Sequence, residues 1–244
     1  MLIHGALLLA AYLVGSLPSG YLLVRWGRRL DVRDYGSHNV GAINVCHVGG
    51  PLLGGLTLAA DAGKALGVVV VAGILTTSPV VVAAAGFLVM VGHAYSVWFL
   101  LVERRFCEGK SVACSLGVLV GLACLGEVPA YVPAVPVLVW GVGLLGPRVL
   151  TGRWACISPA TMAAAVCIPL TMVLAKTLPT YVALSCAMAT LVLLRHSSNI
   201  WRLRAGTEPT LTDRLQARRG PQGGPLPSVG PRAPISQNAH PHVR

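Results

Sequence analysis

Three short segments and one pair of charges hold most of the hydrogen-bonding chemistry in this chain. The first segment, Gly36-Ser37-His38-Asn39-Val40-Gly41-Ala42-Ile43-Asn44-Val45-Cys46-His47, interleaves hydroxyl and amide side chains with small residues. Such a run lets a ligand approach the backbone while side chains supply donors and acceptors. It equally suits a turn into a helix, with Ser37 or Asn39 as N-cap. The second, Cys107-Glu108-Gly109-Lys110-Ser111, opens an apolar run. There the backbone amides, the helix N-terminus and an ammonium would all favour an anion. Arg104 stands where a nucleotide-binding GxxxxGK[ST] loop requires glycine, and no strand precedes it, which argues against nucleotide hydrolysis. The third segment runs from Arg195 to Glu208, with His196 and Asn199 three apart and so on one face of a continuing helix. Asp61 and Lys64 share that spacing inside an apolar run, where ionisable residues are functional candidates or a structural ion pair.

The elements that must position these groups are membrane helices. Of 244 residues, 55% are hydrophobic and only 11% charged, with a mean hydropathy of +0.70; a soluble domain is about a quarter charged. Apolar stretches at about 2–24, 51–75, 80–101, 112–125, 131–145, 159–174 and 181–194 approach the ~20 residues that cross a bilayer. The fold class expected is an all-α polytopic membrane protein with about seven transmembrane helices. Arg25, Arg28, Arg29 and Arg33 follow the first run with no Lys or Arg before it, which favours an uncleaved span with its N-terminus outside. Alternation then places every Lys and Arg except Lys64 and Lys176 on the cytoplasmic side, together with the C-terminus. The net charge of +11 is therefore a topology signal, not a nucleic-acid footprint. The seven cysteines stand singly, so no disulfide framework and no zinc site are expected. Residues 1–209 form the membrane domain, and 210–244, rich in Pro, Gly and Arg, a disordered basic cytoplasmic tail.

Taken together, the segments resemble the acyl-phosphate:glycerol-3-phosphate acyltransferases, the PlsY family of bacterial membrane enzymes. Ser37, Asn39, Gly41, Ala42 and Asn44 match its GSxNxGAxNxxR motif; Gly109 and Lys110 match GGKG; His196, Asn199, Gly206 and Glu208 match HxxN…GxE. Gly15-Ser16-Leu17-Pro18, Asp61-Ala62-Gly63-Lys64 and Gly92-His93 are also similar, in order over about residues 10–210. The chain departs from the pattern at His47, where the family has Arg, and at Glu108 and Ser111, where it has Gly.

The resemblance implies acyl transfer from acyl phosphate to the 1-hydroxyl of glycerol 3-phosphate, at a cytoplasmic face of the bacterial inner membrane, among membrane lipids. It implies no metal or other cofactor. The catalytic residues would be Ser37, Asn39, Asn44, His196 and Asn199, with phosphate held by Gly109, Lys110, Lys64 and His47, and with Glu208 and Asp61 structural. An H-x4-D acyltransferase motif is absent: the fifth residue after His4, His38, His93 or His196 is Leu9, Ile43, Trp98 or Trp201. A catalytically weakened relative that binds lipid or a partner, and a small-solute transporter, are the rival expectations. Oligomeric state is not legible.

Overall fold

The computed structural model describes residues 2–103, 109–152 and 155–213. Glu108 and the tail beyond residue 213 lie outside them. The described residues form helices α1 (Leu2–Gly15), α2 (Ser19–Arg28), α3 (Ala42–Gly49), α4 (Pro51–Leu75), α5 (Pro79–Ala94), α6 (Val97–Glu103), α7 (Val112–Cys124), α8 (Ala134–Thr151), α9 (Ile157–Leu174), α10 (Pro179–Leu194) and α11 (Ser197–Arg204), with one 3-10 turn at Val32–Asp34. No strand occurs among them. Prolines at the first helical position start α4, α5 and α10, where a missing N–H leaves no bond unmade.

Four helical stretches are long and apolar enough to cross a bilayer: Leu2–Arg28, Pro51–Leu75, Ala134–Thr151 and Ile157–Leu174. Pro79–Ala94, Val112–Cys124 and Pro179–Leu194 are shorter apolar helices. Large apolar side chains such as Leu9, Ile74, Leu138, Val142, Leu170 and Leu194 face outward, the arrangement lipid requires and water opposes.

Two of the expected continuous spans are broken. Pro18 separates α1 from α2, because its nitrogen has no hydrogen to donate into a helix. The third run stops at Ala94; Tyr95 and Ser96 separate α5 from α6. Side chains satisfy the carbonyls these breaks release. Tyr12 donates to the Tyr95 carbonyl (2.9 Å), Ser96 to that of Ser16 (2.6 Å), and Lys64 to that of Leu17 (2.8 Å). At the other end of the chain, residues expected to begin the tail are tied down: Thr210 bridges to Cys156 and Leu211 donates to the Ala155 carbonyl.

Small residues bring the helices together, the usual solution where hydrophobic driving force between helices is missing. A Cβ at Gly117 on α7 would lie 2.0 Å from the Ala62 carbonyl on α4, and one at Gly92 on α5 would lie 2.2 Å from that of Tyr12 on α1. By contrast, nothing lies within 4 Å of a Cβ at Gly67. Gly117→Ala should therefore lower the unfolding midpoint in detergent by about 4 °C or more, the effect of roughly 1–3 kcal/mol of overpacking. Gly67→Ala should leave it unchanged or raise it. Equal midpoints for the two variants would contradict the close α4–α7 approach.

Candidate active site

Asn44, 2% exposed, organises the loop ahead of α3. Its Oδ1 accepts from the Ser37 amide (2.9 Å), and its Nδ2 reaches the carbonyls of Val32, Tyr35 and Asn39 (2.8–3.1 Å). Gly36 turns through φ +63°, and a Cβ there would strike Asn44 Oδ1 at 2.3 Å, so only glycine fits. Asn39 Oδ1 accepts from the Gly41 amide (2.7 Å) just before α3 begins. The loop is thus shaped by buried amides, with Gly36, Ser37 and His38 exposed on it.

The described residues of the second segment, Gly109-Lys110-Ser111, form the turn into α7, wedged between α5 and the end of α10. A Cβ at Gly109 would lie 2.2 Å from the His93 carbonyl and 2.7 Å from its ring Nε2, so the backbone rests directly on that residue. Arg195, whose guanidinium lies 5.0 Å from the Tyr95 ring, donates to the Gly109 carbonyl (3.1 Å). Ser111 sits at φ 55° and donates its hydroxyl to the Met90 carbonyl (2.8 Å), at the N-terminus of α7.

Lys110 reaches across to the third segment and donates to Asn199 Oδ1 (2.6 Å). Asn199, 1% exposed, directs its Nδ2 at Ser158 Oγ (2.8 Å) and Glu208 Oε1 (2.9 Å). Ser158 also donates to Glu208 (2.5 Å), and Arg202 Nε to the other carboxylate oxygen (2.8 Å). Burial raises the Glu208 pKa, but the bonds from Ser158, Arg202 and Asn199 outweigh it and hold the carboxyl below 4.5. His196 lies just beyond α10, 3% exposed, with Nδ1 against the Val192 carbonyl (2.7 Å). A carbonyl only accepts, so Nδ1 carries the proton and Nε2 is left as an acceptor. Burial, aided by nearby Lys110 and Arg195, pushes this imidazole down from 6.5 to about 4, so it is neutral at physiological pH.

These groups border a cavity of about 470 Å³. Ser37, Asn39, Asn44, Asp61, Lys110, His196 and Asn199 line it together with apolar residues including Leu58, Leu119, Trp140 and Ile168, and along α7 and α9 the wall runs from Lys110 and Ser158 to Leu119 and Ile168. Gly109, Lys64 and Glu208 stand behind the wall. His47, half-buried in the last turn of α3, is not part of the wall. Lys64 Nζ lies 2.8 Å from Asp61 Oδ1, off the direction of a good hydrogen bond, and 3.1 Å from His93 Nδ1. Asp61, His93 and Cys114 hold their donor atoms within 4.8 Å, but the Lys64 ammonium already occupies the cationic place beside that carboxylate. None of the six described cysteines is in a disulfide.

Sequence reasoning passed over Ser158, Arg195 and His93 as site members. Ser158 opens an apolar helix 41 residues from Asn199, and no spacing rule joins them. Arg195 sits beside His196 in a segment already singled out, so that proximity was the available signal.

The glycerol-3-phosphate acyltransferase family model matches residues 5–206. Curated relatives of the same name include one from Geotalea daltonii, 36% identical over 202 residues (83% of this chain, 94% of that one), and one from Myxococcus xanthus, 39% identical over 205 residues (83% and 97%). Among solved structures, the glycerol 3-phosphate form of PlsY (YgiH), an integral membrane glycerol 3-phosphate acyltransferase, aligns with a TM-score of 0.73 at 27% identity, covering 88% of this chain and 98% of that one. Its lysophosphatidic acid form aligns at 0.71 and 26% identity, covering 87% and 98%.

A buried neutral His196 makes stability depend on pH with a definite sign. The unfolded chain, with an ordinary imidazole, binds the proton between pH 6.5 and about 4 while the folded chain does not, so stability drops as pH falls through that window. Glu208 acts lower: its depressed pKa contributes stability above 4.5, which is lost as pH falls further. Thermal unfolding in detergent between pH 7.5 and 5 should therefore show a steeper loss for the wild type than for His196→Gln. Parallel slopes would contradict a neutral imidazole.

Proposed function

Because the chain belongs to the glycerol-3-phosphate acyltransferase family, we propose that it transfers a fatty acyl group from acyl phosphate to the 1-hydroxyl of glycerol 3-phosphate, releasing lysophosphatidic acid and phosphate. The observation that carries this reading is the cavity itself. Lys110, Asn199 and His196 line it beside the starts of α7 and α9, and further along those helices the lining is apolar at Leu119 and Ile168, which suits a phosphorylated head and an acyl chain.

Acyl phosphate is a mixed anhydride, already activated, so the protein needs mainly to position and to stabilise charge. The glycerol 1-oxygen attacks the acyl carbon, the carbon–oxygen bond to phosphate breaks, and a phosphate oxygen of the substrates takes the hydroxyl proton. Lys110 and the adjoining amides hold phosphate. His196 Nε2, as an acceptor, orients a glycerol hydroxyl, and Asn199 fixes Lys110. Ser37 faces the cavity and supplies a donor to the acyl carbonyl, while Asn39 and Asn44 keep its loop in shape.

The topology belongs to this proposal too: seven spans in a bacterial inner membrane, the N-terminus outside, the polar end of the cavity and the C-terminus in the cytoplasm. The distribution of Lys and Arg supports it. A C-terminal fusion to a phosphatase active only outside the membrane should be inactive, and high activity would overturn the seven-span arrangement.

Purified protein supplied with acyl phosphate and glycerol 3-phosphate tests the reaction directly. Lys110→Ala should lower kcat/KM at least about a hundredfold, roughly 2.7 kcal/mol of transition-state stabilisation, because it removes a cation that holds phosphate. Exposed Lys176, between α9 and α10, should tolerate the same change. Equal effects of the two substitutions would show that the phosphate site lies elsewhere, and a folded wild type without transfer would favour the non-catalytic lipid-binding reading.

A further inference from the structure

The mechanism above leaves one buried group unused. His93, on α5, is 8% exposed and lines the cavity beside Asp61. Three sets of contacts define its ring, one of them with the Cys114 thiol, whose Sγ lies within 4.8 Å of a ring nitrogen. Nδ1 lies 3.1 Å from Lys64 Nζ and 3.5 Å from Asp61 Oδ1, while the opposite edge, with Nε2, lies against Gly109, next to Lys110.

The proton position follows from the partners. An ammonium has no lone pair to offer, so a neutral His93 must accept from Lys64 at Nδ1 and carry its hydrogen on Nε2. A protonated ring carries a hydrogen on both nitrogens, with Nδ1–H turned to the Asp61 carboxylate. The remaining tautomer would set an N–H against the ammonium. In both permitted states Nε2 is a donor, and it faces the turn that holds phosphate. Lys64 is itself anchored by the Leu17 carbonyl and Asp61, and Cys114 Sγ donates to the Asp61 carbonyl (3.3 Å). The ring is thus held from behind by three spans.

We infer that His93 Nε2–H is a further hydrogen-bond donor to a phosphoryl oxygen of the bound substrate, with Asp61 and Lys64 as the residues that position its ring. The inference rests on the acyl-transfer reading for the identity of the anion. It also gives Lys64 a place: behind the cavity wall, it fixes the ring that faces the phosphoryl group.

The two amide replacements of histidine separate donor from scaffold. His93→Gln extends an amide toward the Nε2 position; His93→Asn keeps a polar atom near Nδ1 and ends short of the phosphate turn. In purified protein, His93→Asn should weaken glycerol 3-phosphate binding by calorimetry, or raise KM for acyl phosphate, at least tenfold with its unfolding midpoint unchanged. His93→Gln should stay within about threefold of wild type. Whichever substrate responds is the one whose phosphoryl group meets the ring. An Asn variant within twofold of wild type for both substrates, or Gln and Asn variants equally impaired, would overturn the inference. Wild-type protein that binds glycerol 3-phosphate without transferring acyl groups would overturn the reaction but not the donor, provided His93→Asn still weakens binding. Wild-type protein that binds neither substrate would overturn both.

Discussion

The orientation of one amide governs the site. Glu208, an ionised carboxylate, can only accept hydrogen bonds, and it takes them from Ser158, Arg202 and Asn199. Asn199 must therefore present its NH2 to Glu208 and Ser158, which turns its oxygen toward Lys110. Reversing that amide would set carbonyl against carboxylate and NH2 against ammonium. A buried anion at the C-terminal end of the described chain thus decides where a cation 98 positions earlier stands. The network joins the ends of α9, α10 and α11 to the start of α7, so the polar groups around the cavity sit at helix termini, where backbone donors and acceptors lack intrahelical partners.

A second constraint comes from the hydrocarbon. Where a helix breaks inside a membrane, the released carbonyls need donors from the protein, since no water is there to supply them. Pro18 and the Tyr95-Ser96 step break two apolar helical runs side by side, and Tyr12, Ser96 and Lys64 supply donors to the carbonyls released there. Lys64 thereby links a backbone defect in the first apolar stretch to the Asp61–His93 pair on which Gly109 rests. Binding chemistry and helix breaking share one set of side chains.

The sequence was most legible where chemistry is local. The three polar segments, the Lys110 turn and the His196–Asn199 spacing could be read because polar residues stand out in an apolar chain and helical spacing is short-range. The apolar helices were legible from composition, but the breaks were less so, because Leu2 to Arg28 stays apolar enough to read as one stretch through Pro18. Of the residues that the resemblance placed near phosphate, Lys110 lines the cavity, whereas Gly109, Lys64 and His47 do not. Charge can be read from a residue's type; which side of a wall it stands on depends on packing between helices. Ser158 was invisible for the same reason, since its partner lies 41 residues away, while Arg195 stood in a legible segment but its partner, 86 residues away, did not show.

The position of Glu208 also has a temporal side. A chain made from its N-terminus and inserted helix by helix could assemble the cavity, the phosphate turn and His196 before Glu208 is available. Until then the Asn199 amide is free to rotate, and Lys110 has no fixed acceptor on its far side. The protein would acquire its hollow first and the alignment of Asn199 with Lys110 last.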